Sequence, residues 1–330
     1  MKRKCIVFVL LLSLFAASLT GCKKTSGNLT AITLNEVAHS IFYAPMYVAI
    51  EKGYFEEEGL KITLVNGAGA DKVMTALVSG EADIGFMGPE ATVYAYNQGA
   101  GDYAVNFAQL TQRAGNFLVS RTDDDHFQWE DLKGKTVLGG RAGGMPQMVF
   151  EYILKQNGIN PETDLDIIQN IDFGVTAEAF ASGTGDYTVE FEPFASKLEL
   201  SDKGYVIASL GVDSGYVPYT CFSALKSYID KNPETIQKFV CAIQKGLDYV
   251  NSNTPEQIAK VIQPQFKETD EKTLQTIVTR YAEQDTWRTD TVFTEDAFNL
   301  LLNILDQAGE LDTHPPYSDL VNTDFAAKAK

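Results

Sequence analysis

Charged side chains that could recognise a ligand follow several short apolar runs of the sequence. Glu190 and Glu192 stand two apart in "EFEPFA", so on a strand they share one face, and Glu90 stands at the entry of a helix. A buried acid is costly unless a donor meets it, and a nitrogen heterocycle with N–H or amino groups is such a donor. Arg113 and Arg141 leave an anionic ligand possible, because either can clamp a phosphate, sulfonate or carboxylate. Alternatively, either arginine can pair with these glutamates.

Glu90 bears on this choice of ligand. A carboxylate at a helix entry can simply satisfy the free backbone N–H groups and the helix dipole. A sulfonate or nitrate would use the same N–H groups, so an acid already placed there weakens the case for an anionic ligand. Glycine pairs at 139–140 and 143–144, directly before Met145, let the backbone approach a ligand closely, although a plain strand-to-helix turn would also explain them.

Aromatic residues crowd the loop in "AHSIFYAPMYVAIEKGYFEEEGL", where a strand should join a helix. Phe42 and Tyr43 lie nearest the loop and can stack on a flat ligand, an interaction worth roughly 1–3 kcal/mol for a base on an aromatic ring. Tyr47 fits better as part of the apolar stripe of the helix. The same loop contributes two further candidates, His39 and Ser40.

The elements that must position these residues alternate between strands and helices. "ITLNEV" and "KITLVN" predict strands on either side of a helix that begins near Pro45 and ends at Gly53. A second helix, closed by Gly80, leads to the short strand "DIGFMG", so the pattern predicts a parallel sheet. In such a sheet a ligand lies beyond the carboxyl ends of the strands, which we place at residues 39–43, 87–90, 139–146, 172–175 and 190–193.

An internal echo indicates two similar lobes. "ALVSGEADIGFMGPEA" and "AFASGTGDYTVEFEPFA" share a helix end, Ser-Gly, an Asp, a strand and a proline before the next helix, although two common helix-to-strand turns could match by coincidence. About 300 residues are also more than one core usually serves. We predict a first lobe from 31–118 and 220–330, completed by C-terminal helices, and a second lobe from 119–219.

The motifs "YAPMYVAIEKGYFEEEGL", "LVSGEADIGFMG", "DLKGKTVLGGRAGGMPQMVFEYILKQNGI" and "EFEPFA" together resemble the NMT1/THI5-like substrate-binding proteins of ABC importers, a group that includes sulfonate, taurine, thiamine-precursor and riboflavin binders. The resemblance implies an α/β type II periplasmic-binding-protein fold whose two lobes close on a small molecule. The candidate ligand-binding residues are His39, Ser40, Phe42, Tyr43, Gly88, Glu90, Arg113, Arg141, Gly144, Met145, Phe173, Glu190 and Glu192.

The same resemblance implies a binding role without catalysis and without a cofactor. We expect a planar nitrogen heterocycle, such as a pyrimidine thiamine precursor or a riboflavin-like molecule, and an ABC permease as the receiving partner. The alternative ligand is an alkanesulfonate, taurine or a related anion. The wider family also includes pyrimidine synthases that rely on a cysteine-rich iron site, whereas Cys221 and Cys241 are the only cysteines beyond residue 22.

The N-terminus indicates export. Residues 1–21 combine Lys2, Arg3 and Lys4 with an apolar run, as a signal peptide does, and "LTGC" resembles a lipobox that would acylate Cys22 at the start of a tether over 22–30. We therefore expect a monomer anchored by lipid to the outer face of the cell membrane. Removal of the three cations changes the formal net charge from −17 to −20, which argues against nucleic acid as a partner.

Metal and disulfide chemistry have less support in the sequence. The three histidines, His39, His126 and His314, are far apart and show no paired ligand spacing, so we predict no metal site. Cys221 and Cys241 could form a disulfide outside the cytoplasm or remain two thiols, because sequence separation does not tell whether they come within bridging distance.

Overall fold

The computed structural model describes residues 28–171 and 174–329. The predicted signal peptide, Cys22 and the candidate ligand residue Phe173 lie outside them. The strands of the described residues are β1 (Thr30–Glu36), β2 (Leu60–Asn66), β3 (Ile84–Met87), β4 (Ala104–Thr111), β5 (Asn116–Ser120), β6 (Thr136–Leu138), β7 (Asp166–Ile168), β8 (Tyr187–Phe191), β9 (Tyr205–Ser209) and β10 (Thr220–Leu225).

The helices of the same residues alternate with these strands up to β10 and then follow one another. They are α1 (Ala44–Glu51), α2 (Tyr54–Glu57), α3 (Ala70–Ser79), α4 (Glu90–Asn97), α5 (Met145–Gln156), α6 (Thr176–Ala181), α7 (Phe194–Leu200), α8 (Leu210–Asp213), α9 (Lys226–Lys231), α10 (Pro233–Ser252), α11 (Pro255–Ile262), α12 (Glu271–Glu283), α13 (Glu295–Gln307), α14 (Tyr317–Leu320) and α15 (Asp324–Lys328). Short 3-10 helices lie at Ile41–Tyr43, Trp129–Leu132 and Gln263–Gln265.

The first sheet has the strand order β2-β1-β3-β10-β4. β1 pairs in parallel with β2 and β3, as the predicted alternation of strands and helices requires, and β10 is antiparallel to β3 and β4. The predicted strands and helices between residues 31 and 88 are confirmed, including Pro45 in the first turn of α1 and Gly80 as the C-cap of α3. We call this sheet with its helices the first lobe.

The second sheet has the order β7-β6-β8-β5-β9, which repeats the plan of the first. β6 pairs in parallel with β7 and β8, and β5 is antiparallel to β8 and β9. The segment predicted to leave the first lobe, "GNFLVSRTDDD", therefore contains β5, a strand of the second sheet. The second sheet begins at Asn116, whereas the predicted boundary followed residue 118. We call this sheet with its helices the second lobe.

The internal echo corresponds to the same local structure in both lobes. The Asp83 carboxylate accepts the backbone N–H of Thr33 at 2.8 Å, and the Asp186 carboxylate accepts that of Thr136 at 2.9 Å. In each case the aspartate's own N–H returns a bond to the carbonyl of the same threonine. Each aspartate thus fastens the start of its strand to the neighbouring parallel strand, so the similarity of the two segments has a structural cause.

Two chain segments cross between the lobes and are hydrogen-bonded to each other. The first crossing joins β4 to β5 and the second joins β9 to β10. The N–H of Val217 donates to the carbonyl of Gln112 at 2.9 Å, and the N–H of Tyr219 donates to that of Thr111 at 3.4 Å. The connection between the lobes is therefore a pair of hydrogen-bonded segments and not two independent loops.

The C-terminal helices pack mainly on the first lobe, as predicted. α10 lies against α1 so closely that a Cβ on Gly246 would stand 2.2 Å from the carbonyl oxygen of Pro45, and glycine is required at this contact. α13 departs from the prediction, because it packs against α5 of the second lobe. Lys155 of α5 also donates to the carbonyl of Gln307 at the end of α13.

Candidate functional site

A cavity of about 240 Å³ lies between the two lobes. Its walls come from the carboxyl ends of the parallel strands of both sheets and from the second crossing, where the geometry of α/β sheets places a ligand. Drug-sized ligands occupy pockets of roughly 300–1,000 Å³, so this cavity suits a small molecule. The lining residues are Val37, Ala38, Tyr43, Ala68, Gly69, Ala70, Lys72, Gly88, Glu90, Arg141, Gly144, Met145, Pro146, Phe191, Tyr219 and Thr220.

Aromatic rings form one side of the cavity. Tyr43 follows β1, Phe191 ends β8, and Tyr219 lies on the second crossing, so both lobes and the connection between them contribute a ring. Phe42 is fully buried behind this wall, with its ring centroid 5.8 Å from that of Phe191 and 5.6 Å from that of Tyr219. Phe42 therefore supports the wall, while the other three rings face the space that a flat molecule would occupy.

Glu90 is the acidic residue of the cavity lining. It is the first residue of α4 and is 3% exposed, and its Oε2 atom has no hydrogen-bond partner within the described chain. Burial raises the pKa of Glu90 from 4.5 to about 8, although its own N–H and the N–H of Met145 act in the opposite direction. At neutral pH the carboxyl group is therefore largely protonated, and it can both donate and accept a hydrogen bond.

Gly88 makes room for this carboxyl group. A Cβ at position 88 would stand 2.0 Å from Oε2 of Glu90 and 2.6 Å from Oε1. The glycine is needed because the Glu90 side chain folds back over the turn between β3 and α4. A larger residue at this position would push the carboxyl group away from its place on the cavity wall.

The mouth of the cavity carries two cationic side chains. Arg141, from the loop after β6, donates from Nη2 to Oδ1 of Asp71 at 2.8 Å, which joins the two lobes across the opening. The Arg141 guanidinium lowers the pKa of Asp71. Lys72 lies one residue further along α3 and also lines the cavity. Cations at the mouth and a buried acid inside give the cavity two chemically different ends.

Six of the predicted ligand residues meet on the cavity wall, and their role in binding stays a prediction. They are Tyr43, Gly88, Glu90, Arg141, Gly144 and Met145. His39 turns away from the cavity, with Nδ1 2.8 Å from Glu36 and Nε2 2.9 Å from the carbonyl of Gln265. Ser40 caps the 3-10 helix at Ile41–Tyr43 and donates to the carbonyl of Glu192 in the second lobe at 3.1 Å.

The environments of Glu190 and Glu192 differ from those predicted, because the phenyl ring of Phe191, between them in the sequence, reaches the cavity in their place. Glu190 accepts hydrogen bonds from Thr176 and Thr188, and burial raises its pKa to about 7. Glu192 is fully buried and pairs with Arg280 of α12 at 2.7 Å.

Neither predicted arginine pairs with these glutamates. Arg113 donates from Nη1 to the carbonyl of Gly211 at 2.9 Å, and its guanidinium lies 4.2 Å from the ring centroid of Tyr216. Arg141 pairs with Asp71 instead. The cation that meets Glu192, Arg280, comes from a C-terminal helix far along the sequence, so no local pattern near "EFEPFA" could identify it.

Sequence reasoning missed several lining residues for two reasons. The end of β2 was left out of the expected strand ends, although "NGAGADK" shows a glycine-rich turn before a helix and supplies Gly69 and Lys72. Tyr219 and Thr220 belong to the predicted return to the first lobe, but nothing in the sequence tells that this crossing borders the cavity.

The described residues show little sign of other chemistry. Cys221 is buried in β10, Cys241 lies on α10, and both are free thiols. Among the described residues there is no group of three or more histidine, cysteine, aspartate or glutamate side chains arranged to hold a metal ion. Within the same part of the chain, no helix combines the length and the apolar character needed to span a membrane.

Comparison with known proteins identifies the family. A family model described as "NMT1/THI5 like" matches residues 41–258, which is more than half of the chain. The chain belongs to the NMT1/THI5 like family. A relative in the family, the candidate binding protein YtlA of Bacillus subtilis (strain 168), is 48% identical over 94% of this chain and 93% of its own length.

More distant matches to this NMT1/THI5-like protein include an enzyme that is similar in sequence and a binding protein that is similar in fold. A 4-amino-5-hydroxymethyl-2-methylpyrimidine phosphate synthase of Aspergillus parasiticus is 26% identical over 63% of each chain. The alkanesulfonate-binding protein SsuA of Xanthomonas axonopodis pv. citri, solved with MOPS bound, superposes with a TM-score of 0.72 at 14% identity, covering 90% of this chain and all of that one. The comparisons support a substrate-binding protein with the type II periplasmic-binding-protein fold, and they do not single out a ligand.

Proposed function

We propose that this protein captures a small planar nitrogen heterocycle outside the cytoplasm and delivers it to an ABC permease. The observation that carries the proposal is the unpartnered carboxyl oxygen of Glu90 inside an aromatic-walled cavity between two lobes. A buried polar atom without a partner costs about 1–3 kcal/mol, and a ligand that supplies the missing hydrogen bond recovers this free energy. The cavity is therefore suited to a ligand with polar atoms on its edge.

The shape and chemistry of a flat heterocycle match both parts of this wall. Its faces can stack on the rings of Tyr43, Phe191 and Tyr219, and its ring nitrogens and amino groups can bond to Glu90. A protonated carboxyl group offers one donor and one acceptor, which is the complement of a ring nitrogen beside an amino group. Pyrimidine thiamine precursors and riboflavin-like molecules are the leading examples of this class.

An alkanesulfonate, taurine or a related anion is the second candidate. Lys72 and Arg141 on the cavity lining favour it, because both could pair with a sulfonate. The buried acid and the three rings weigh against a small anion that would fill the cavity alone, since an aromatic face is a poor partner for a negative group and an anion would repel Glu90 in its ionised form. We therefore rank the heterocycle first.

Binding without bond making is the simplest use of this site. The relative at 48% identity is named as a candidate binding protein, and the pyrimidine phosphate synthase shares only 26% identity. We propose that the protein is not an enzyme. Incubation with candidate pyrimidine precursors, followed by mass spectrometry, would contradict this proposal if it revealed a converted product.

Hinge closure between the lobes completes the proposed mechanism. We place the boundary between the lobes at the paired crossings, close to the predicted division into 31–118 with 220–330 and 119–219, with β5 in the second lobe. Closure would bring the rings of Tyr43 and Phe191 together around a ligand and exclude water from Glu90. Small-angle scattering should show a smaller radius of gyration at ligand saturation, and an unchanged profile would rule out a large hinge motion.

A lipid anchor at Cys22 would hold the protein, as a monomer, at the outer membrane face beside its permease. The basis is the "LTGC" pattern after an apolar segment and before a polar tether. The Cys22→Ala variant should be folded and able to bind ligand but released from the membrane. Retention of the variant in detergent-free membrane fractions would refute the anchor.

A binding screen tests the function itself. Thermal-shift measurements over pyrimidines, nucleobases, flavins and sulfonates should give one stabilising class, because a ligand at 100 times its dissociation constant stabilises by about 2.7 kcal/mol. For a heterocycle, Glu90→Gln should weaken binding by about 1–2 kcal/mol in isothermal titration, since the amide cannot match the carboxyl group in both donor and acceptor positions. Glu81→Gln, an exposed change on the same lobe, should leave affinity unchanged.

A sulfonate as the ligand would give the opposite result. Glu90→Gln would then be neutral or favourable for binding, because the amide keeps a hydrogen-bond donor and removes the ionised form of Glu90 from the surroundings of an anion. Binding of taurine or an alkanesulfonate with no binding of heterocycles would replace the ligand assignment and leave the transport role in place.

A further inference from the structure

The two ends of the cavity point to a ligand with two different parts. Lys72 and Arg141 line the same cavity as Glu90, so with Asp71, the ion-pair partner of Arg141, the three charged residues at its mouth carry a formal net charge of +1, in a chain whose formal net charge is −17. In the described part of the chain, the side chain of Lys72 has no hydrogen-bond or ion-pair partner. A local excess of positive charge on a strongly acidic protein marks a place for an anionic group.

Arg141 also has unused donors. A guanidinium carries five N–H donors, and among the described residues a partner is seen only for Nη2, which bonds to Asp71. This ion pair is solvent-exposed, with 46% of the arginine side chain and 59% of the aspartate side chain accessible. Exposed pairs of this kind are weak, so a ligand oxygen can compete with Asp71 for the guanidinium at little cost.

The start of α3 provides a further attraction for an anion. This helix has ten residues, its N-cap Gly69 has no side-chain cap, and Gly69 and Ala70 line the cavity mouth. The backbone N–H groups of Asp71 and Lys72 hydrogen-bond to the Asp71 carboxylate and help lower its pKa. The carboxylate of Asp71 thus lies where the helix dipole, the backbone N–H groups and Arg141 all favour negative charge. An anionic group of a ligand would be attracted to the same place.

The interior of the cavity is unsuited to that charge. Glu90 is buried there with an unpartnered oxygen, and the rings of Tyr43, Phe191 and Tyr219 surround the space. We propose that the natural ligand is bipartite: a flat heterocyclic head that bonds to Glu90 carries an anionic oxygen group, such as a phosphate monoester or sulfonate, that lies between Lys72 and Arg141. This inference rests on the proposed function and names the substrate class of the same site.

Matched pairs of molecules test the inference directly. One pair is 4-amino-5-hydroxymethyl-2-methylpyrimidine and its phosphate monoester, and the other is riboflavin and its 5′-phosphate. In isothermal titration at low salt, the phosphate of the better-binding pair should bind about tenfold more tightly than the alcohol, since a charge-assisted hydrogen bond contributes on that order. Added sodium chloride should weaken the phosphate ester and leave the alcohol nearly unchanged.

Substitutions at the cavity mouth test whether Lys72 and Arg141 cause the tighter binding of the phosphate ester. Lys72→Ala and Arg141→Ala should each remove most of the tenfold difference by weakening only the phosphate ester. Asp71→Asn should strengthen the phosphate ester a few-fold, because it frees Arg141 and removes a like charge. Lys61→Ala is the matched control, since Lys61 is an exposed lysine of the same lobe on β2 and away from the cavity, and it should change neither affinity. Melting curves of all variants confirm that they are folded.

The outcomes separate the two proposals. Two results would contradict the bipartite ligand without contradicting the heterocycle site. One is equal affinity for the alcohol and the phosphate ester. The other is a preference for the phosphate ester that persists in both Lys72→Ala and Arg141→Ala. Inorganic phosphate or taurine bound as tightly as the phosphate ester also overturns the bipartite ligand, because the head would then contribute nothing. If no heterocycle binds in either form, the proposed function fails as well, and this result is distinct from the first two.

Discussion

Two buried carboxyl groups lie at corresponding places in the two lobes and have opposite surroundings. In each lobe a short strand leads through a proline to a helix, with Glu90 directly after Pro89 and Glu192 directly before Pro193. Glu192 accepts from the N–H and the hydroxyl of Ser196, both at 2.9 Å, and pairs with Arg280. Glu90 has one oxygen with no partner in the described chain and faces the cavity.

The difference shows that a partner, and not burial or position, decides the role of such an acid. Arg280 also bonds to Glu199 at 2.6 Å, so Glu192 belongs to a network that ties α12 to the second lobe. A carboxyl group satisfied by the protein contributes to stability, whereas one left unsatisfied is available to a ligand at some cost to stability. Substitutions at the two acids and at the cavity mouth test this difference.

The largest effect on stability should come from removing Glu192, the carboxyl group that the protein itself satisfies. Glu192→Ala leaves Ser196 without its buried partner and Arg280 with Glu199 alone, and removal of one member of a buried ion pair costs up to about 3–5 kcal/mol. Urea unfolding should show this loss in the free energy of unfolding, while ligand affinity at low temperature remains close to that of the wild type. A loss below about 1 kcal/mol would show that Glu192 is not a structural acid.

The next effect concerns the unsatisfied site and its dependence on pH. The pKa of Glu90 is raised in the fold to about 8, so between pH 4.5 and 8 the folded state holds a proton that the unfolded state releases, and stability falls as pH rises through this window. Glu90→Gln has no such group, so without ligand it should be more stable than the wild type at pH 8 by about 1–3 kcal/mol and nearly equal at pH 4.5. Denaturant midpoints at the two pH values measure this difference, and a constant difference would contradict the assignment.

Glu190 provides an intermediate case, since it is buried and bonded to two threonine hydroxyls but pairs with no cation among the described residues. Its pKa is raised to about 7, so its loss of stability with rising pH should be complete at a lower pH than that of Glu90. Glu190→Gln should gain about 1–2 kcal/mol over the wild type between pH 4.5 and 7, with no further gain above pH 8. A gain that continued to grow above pH 8 would show that another group is responsible.

The smallest effect on stability should come from the exposed pair at the cavity mouth. Arg141→Ala removes the contact with Asp71, yet exposed ion pairs are worth at most about 1 kcal/mol and are screened by salt. Thermal unfolding should therefore change little, and less still in high salt. A loss of several kcal/mol would mean that this pair holds the lobes together and is not free to bind a ligand.

Local sequence patterns sufficed for the elements and for part of the cavity wall. The alternation of strands and helices placed Tyr43, Gly88, Glu90 and Met145 near strand ends, because residues that close a parallel strand must meet at one edge of the sheet. Glycine and proline signals likewise marked the ends of α1 and α3.

The rest of the site depends on contacts between distant segments. The pairing of Glu192 with Arg280 joins residues 88 positions apart, and Tyr219 reaches the cavity only because the second crossing pairs with the first. Successive residues of a strand alternate between its faces, and the face of β8 that borders the cavity carries Phe191 and not Glu190. Patterns of residue type contain neither the packing of α12 nor the choice of the face that borders the cavity.

The fit of Glu90 over Gly88 has a consequence for how such a protein can diverge. Any side chain at position 88 would displace the carboxyl group from its place on the cavity wall, so a change of the glycine alters the site even when the acid is kept. Loss of the acid, in contrast, removes this contact and opens the turn to larger residues. A substitution at either position therefore changes the binding chemistry of a lineage, and a non-glycine residue at position 88 would signal that the acid is absent or has moved.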